Sequence, residues 1–293
     1  MESFNETELK ALISLLDDTD AEIITHISER LVTLGINVIP VLEEAWGNSF
    51  DAVLQERIEN IVHKIQFDNL KAGLKKWSKE NSGDLLAGCI LIARFQYPDL
   101  DENKVREQLN KIKREVYEAL DKNFTPLEKV QVMNRVLFDS YGFNGNTANF
   151  HAPQNSFINS VLETRKGNPL MLCSVYSIVA QQLDIPLFGV NLPEHFILAY
   201  KEKSSSDFYE YTYPEAHVLF YVNAFSRGTI FYKKDVDQFL KKLDLKQNKI
   251  FYEPCSNIDI IKRSLRNLAF SYQKLNEEEK FAEIEELLDH INS

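Results

Sequence analysis

Residues 167–183, GNPLMLCSVYSIVAQQL, carry apolar side chains on every face of the helix they would form: Leu170 to Cys173, Val175, Tyr176 and Ile178 to Ala180. A helix without a polar side cannot turn any face to water, so it must be central and covered all round. The next part of the chain supplies a cover. IPLFGVNL, HFILAY, DFYEYTY and HVLFYVNAF are short, rich in β-branched and aromatic residues, and bounded by Pro, Ser and Asn. They read as three or four strands of a mostly antiparallel sheet. Helices precede this block and return after it, an order that predicts an α+β fold rather than a doubly wound sheet.

The helices before the block announce their own ends. In TDAEIITHISERLVTLGINVIPVLEEAW, Thr19 and Glu22 have capping-box spacing, Gly35 stands where a C′ glycine belongs, and Pro40 falls near the next helix start. This pattern resembles HEAT-type repeats. TPLEKVQVMNRVLFDSYGF is more explicit, with Thr125 as N-cap, Pro126 at N1, Glu128 at N3 and Gly142 closing. At the far end, NIDIIKRSLRNLAFSYQKLN and EEEKFAEIEELLDHIN form a helix pair resembling one tetratricopeptide-type unit. The expected division is therefore a HEAT-like segment over 1–80, a core domain over 81–250, helical to 150 and helix plus sheet beyond, and a C-terminal helical pair over 251–293.

A formal charge of −11 opposes binding to a phosphate backbone, and no basic stripe interleaved with aromatics offsets it. The longest apolar run, LLAGCILIA at residues 85–93, is about half the length of a bilayer span. The acidic, polar start MESFNETELK has no secretory pattern, and three scattered cysteines make no disulfide framework. A reduced cytoplasm is the expected setting, with no nucleic-acid or membrane partner. The six histidines form no HxxxH or HExxH pair, and neither CxxC nor a glycine-rich phosphate loop occurs, so no metal and no cofactor is expected.

Cys173, near the start of the central helix, and His195, inside an expected strand, pose the chemical question. A thiol at a helix N-terminus beside an imidazole is a route to a reactive thiolate. The alternative is a small apolar side chain in a buried helix, the commonest setting for free cysteine, and a histidine bonded to a neighbouring backbone group.

The stretches CILIARFQYPDLD, LFDSYGFNGN, NSFINSVLETRKGNPL, LDIPLFGVNLPEHFILAY and YVNAFSRGTIF, in this order over residues 85–240, resemble the transglutaminase-like superfamily, in particular its bacterial SirB-type branch. The resemblance implies a transglutaminase/papain-like core in which a cysteine opening the central helix attacks an amide or ester carbonyl. A strand histidine serves as its base and an acid on the next strand orients that histidine. Matched through the GNP turn and the DIP helix end, the nucleophile's place falls on Pro169, the histidine's on His195 and the acid's on Asn223. Asparagine can orient a histidine. Cys173 stands four residues beyond Pro169, about 6 Å along the helix axis and on nearly the same face.

Besides a structural scaffold with no active cleft, two functions are compatible with this pattern. The leading expectation is a degenerate, non-catalytic domain that binds a peptide or protein partner through a cleft near His195 and through its helical flanks. The alternative is a cysteine-dependent amide hydrolase or acyltransferase using Cys173, His195 and Asn223. Arg165, with Glu163, is expected to hold the turn before the central helix by an ion pair or a backbone clamp, with substrate binding as its other role. Asn155 and Asn159 are candidates to line the cleft.

Overall fold

The computed structural model describes residues 6–201 and 218–292, and the chain divides into two compact units, Met1–Lys75 and Lys76–Ser293. The first unit holds α1 (Glu6–Ser14), α2 (Ala21–Leu34), α3 (Ile39–Asn48) and most of α4 (Ala52–Glu80). Leu16, Leu31, Val38 and Leu42 are fully buried at its centre, with Ile58, Ile61 and Ile65 of α4 against them. Gly35 caps α2 at φ 73° as its spacing predicts. The N-cap, by contrast, is Asp20 rather than Thr19. Asp20 takes the extended conformation, and its carboxylate accepts from the Glu22 amide at 2.9 Å, bonding the helix start one residue inside the capping-box register.

The second unit opens with α5 (Leu85–Gln96), α6 (Glu102–Ala119) and α7 (Pro126–Asn134). At α7 the capping box of Thr125 and Glu128 forms in both directions, with Pro126 in the first turn. The helix widens into a π-helical stretch, Arg135–Ser140, before Gly142 turns the chain at φ 72°. β1 (Asn144–Gly145) pairs in parallel with β2 (Lys166–Gly167), and α8 (Ile158–Thr164) lies between them in sequence.

The apolar stretch forms α9 (Pro169–Gln181), and every residue from Leu170 to Ala180 is buried. Beside it runs a four-stranded antiparallel sheet in sequence order: β3 (Leu187–Val190), β4 (Ile197–Lys201), β5 (Val218–Asn223) and β6 (Thr229–Phe231). The expected strand DFYEYTY lies outside the described residues. Three helices complete the chain, α10 (Lys233–Lys242), α11 (Asn257–Leu275) and α12 (Glu278–Asn292), the last two packed together as a hairpin. The result is a mostly helical α+β chain with one small sheet.

The two faces of that sheet are covered differently. Val190 pairs with Ile197, and Ala199 with Tyr221, so these side chains share one face, which packs on Val236 and Leu240 of α10. The other face meets α9 and α11. Ser177 Oγ and Gln181 Nε2 donate to the Leu187 carbonyl at 2.9 and 3.0 Å. Gly189 permits the close approach there, because a Cβ would lie 2.5 Å from the Phe196 ring.

Candidate functional site

The start of α9 is a built corner. Asn168 caps the helix by accepting from the Met171 amide at 2.8 Å, and its own amide group donates to Ser156 Oγ at 2.8 Å. Pro169 occupies the first turn, where a missing N–H costs least. In front of it lies a cavity of about 240 Å³, lined by Pro169, Leu170, Glu194, Phe196, Arg263 and Phe270 among others. Its apolar wall continues through rings in edge contact, His151 with Phe270 at 5.3 Å and with Phe150 at 5.1 Å. Among the described residues no cysteine lines this cavity.

Cys173, one turn further in, is fully buried and donates its thiol hydrogen to the Phe196 carbonyl at 3.4 Å. Burial pushes its pKa up to about 12, against the smaller opposing effects of the Ala224 backbone and the Arg263 charge. The helix-terminus effect expected to acidify this thiol is outweighed, because removing a thiolate from water disfavours the charged form.

His195 is exposed and precedes β4 in a turn instead of lying within a strand, the chain having passed through Glu194 at φ 59°. Its ring packs on Phe239 of α10, 5.0 Å between centroids. Residues 195, 197 and 199 thus turn to the α10 side of the sheet, whereas Cys173 approaches from the α9 side. Asn223 ends β5 and accepts from the Ser226 amide at 3.2 Å, capping a short 3-10 turn. Among the described residues neither Cys173 nor Asn223 hydrogen-bonds His195, so the three are not assembled.

Asn155 is buried and fully engaged. Its Nδ2 donates to the Asn149 and Phe150 carbonyls at 2.7 and 3.1 Å, its Oδ1 accepts from Asn146 at 2.9 Å, and its carbonyl accepts from the Asn168 amide at 3.2 Å. It ties the loop bearing Phe150 to the start of α9, behind the cavity rather than within it. Asn159 is buried on α8 and does not line the cavity. Arg165 closes α8 in the left-handed conformation, φ 61°, and its guanidinium lies over Tyr141 and Phe143 at 5.4 and 5.0 Å. Its carbonyl accepts from the Asn144 amide at 2.8 Å, so its backbone ties the end of α8 to β1; no carboxylate pairs with it among the described residues.

The residue that sequence reasoning missed is Arg263. It lies on one face of α11 with Asn267, Phe270 and Ser271, all lining the cavity, a spacing that is visible in the sequence once that helix is known to face α9. Its Nη1 donates to Asn191 Oδ1 and to the Leu192 carbonyl, the latter at 3.0 Å, and its guanidinium lies over the Phe196 ring at 5.6 Å. Burial lowers its pKa. A wider groove of about 1040 Å³ opens at the far end of α9, but Lys113, Arg114, Glu118 and Asp121 give it mixed charge without a convergent set of groups. Among the described residues no cluster of His, Cys, Asp or Glu could hold a metal ion, and no helix is long and apolar enough to cross a membrane.

Comparison with known proteins agrees with this geometry. A UPF0162 protein of Xylella fastidiosa (strain Temecula1) is 40% identical over 118 residues, 39% of this chain and 41% of that protein. One from Pseudomonas aeruginosa is 30% identical over 114 residues, 39% of this chain and 42% of its own. Human F-box only protein 21 is 34% identical over 90 residues, 30% of this chain and 14% of that protein. The chain thus spans about two fifths of the length of the first of these relatives. No solved structure matches it significantly. The profile of the transglutaminase-like superfamily matches residues 103–266, more than half of the sequence, and takes in α9, the sheet and the first half of α11. With a helix buried on all sides, packed on an antiparallel sheet and opening on a cavity, the chain belongs to the transglutaminase-like superfamily.

Proposed function

We propose that this chain is a non-catalytic member of its superfamily, of the SirB-type branch, which holds a peptide or protein partner in the cavity at the start of α9. The observation that carries the reading is the chemistry at that place. The cavity is walled by a proline, aromatic rings and an arginine, and the Cys173 thiol is buried behind it with a raised pKa. A cavity that is largely preformed, mostly apolar and equipped with a few convergent polar groups is what ligand binding requires. The HEAT-like and tetratricopeptide-like flanks supply further contact surface in this reading, and the scattered cysteines favour action in the cytoplasm.

The test is an amidase and transamidase assay on glutamine-containing peptides, run beside a calorimetric titration of the same peptides. The expected result is no ammonia release above buffer, together with binding that Phe270→Asp weakens at least tenfold. Phe270 is 47% exposed, so the fold should tolerate this change. Thiol-dependent turnover that disappears in Cys173→Ala would overturn the proposal in favour of the hydrolase.

A further inference from the structure

Arg263 is a half-buried cation that pairs with no carboxylate among the described residues. A guanidinium withdrawn from water without a counter-charge is costly, and a ligand anion can remove that cost. Nη1 is engaged by Asn191 and Leu192, which leaves Nε and Nη2 without a hydrogen-bond partner among the described residues. These two N–H groups form the parallel edge of the fork that matches the two oxygens of a carboxylate. Arg266 adds a second positive charge close by, and its repulsion contributes to lowering the Arg263 pKa. The negative group on the cavity wall, Glu194, is exposed and belongs to the rim, where water screens it.

The rest of the cavity sets the size and character of what accompanies the carboxylate. About 240 Å³ falls below the roughly 300–1,000 Å³ of a drug-sized pocket and suits a single residue. Phe150, His151, Phe196 and Phe270 give that residue an aromatic lining, and Leu170 closes the floor. Resting on the binding function proposed above, we infer that the cavity takes the C-terminal residue of a peptide, its α-carboxylate on the Nε–Nη2 edge of Arg263 and its apolar side chain among the rings. The peptide chain leaves past Glu194, which disfavours an acidic residue next to the last.

The experiment is a calorimetric titration of the full chain with N-acetyl-Ala-Ala-Leu and N-acetyl-Ala-Ala-Phe, each as the free acid and as the C-terminal amide, with free leucine and phenylalanine alongside. The acids should bind about ten- to a hundredfold more tightly than the amides, the range of a charge-assisted hydrogen bond. Arg263→Gln should bring acid and amide together, and Arg263→Lys should retain part of the gap. Should Arg263→Gln fail to fold, the acid–amide pair on the unmodified protein still decides the matter. Equal binding of acid and amide, both weakened in Phe270→Asp, would overturn the carboxylate inference while leaving peptide binding in place. Free amino acids binding as tightly as the peptides would overturn the peptide as ligand. Absence of binding by every probe at millimolar concentration would overturn both this inference and the function on which it rests.

Discussion

At the scale of single residues, the testable property of Cys173 is its proton affinity. Its ordinary value of 9.0 is carried to about 12 by burial, and Cys89, sealed in α5, is carried equally far by burial and the nearby Asp84. Cys255 is raised to about 12 as well, chiefly by burial, so folding keeps three thiol protons that the unfolded chain releases once the pH passes about 9. Stability is fully present below that pH and is lost as pH rises toward about 12, by about 1.4 kcal/mol per pH unit for each thiol. Urea unfolding between pH 7 and 10.5 should show this decline, and Cys173→Ala should make it shallower. Iodoacetamide should modify Cys173 only after unfolding. Composition and local pattern cannot reveal such a shift, because a cysteine on an apolar run reads the same whether its sulfur meets a cavity or a carbonyl. The Phe196 carbonyl that receives the thiol lies 23 positions away along the chain.

At the scale of elements, what was legible in the sequence was whatever is settled locally. The α7 capping box uses three residues within one turn, and α9 advertises its centrality through the lack of any polar face. The sheet was legible as short β-rich runs. The face to which His195 turns was not, because side chains alternate along a strand and a shift of one position reverses them all. The left-handed Glu194 just ahead of β4 fixes that parity, and nothing in the residue type declares it. Arg263 was hidden for a related reason, since its role depends on α11 meeting α9 across some ninety positions of chain. Packing of the same long-range kind makes Gly228 a test of the fold. It sits at φ 73°, and a Cβ there would overlap Asn134 Oδ1, the atom that accepts from the Tyr176 hydroxyl at 3.0 Å. Gly228→Ala should cost at least about 2 kcal/mol, left-handed strain and overpacking together. Thr125→Ala should cost about 1 kcal/mol through the lost cap. Both are measurable as shifts in the urea midpoint at constant m-value.

At the scale of the whole molecule, the positive group in the cavity stands against a negative net charge. The chain carries −11, yet the cavity proposed to receive a carboxylate presents an arginine. An anionic peptide is repelled at long range and attracted only on arrival. Salt shortens the repulsion, with a screening length of about 30 Å at 0.01 M and about 8 Å at 0.15 M, and affects the half-buried contact less. The association rate of N-acetyl-Ala-Ala-Phe, followed by stopped-flow fluorescence, should therefore rise several-fold over that range of ionic strength. Between two oppositely charged surfaces it would fall. The proline at the head of α9 then has a temporal consequence. Where a cysteine would take a bound amide through a covalent intermediate and release something altered, Pro169 in the proposed non-catalytic reading leaves dissociation as the exit. In that reading the occupant departs unchanged, and the dwell time of the complex sets how long it acts.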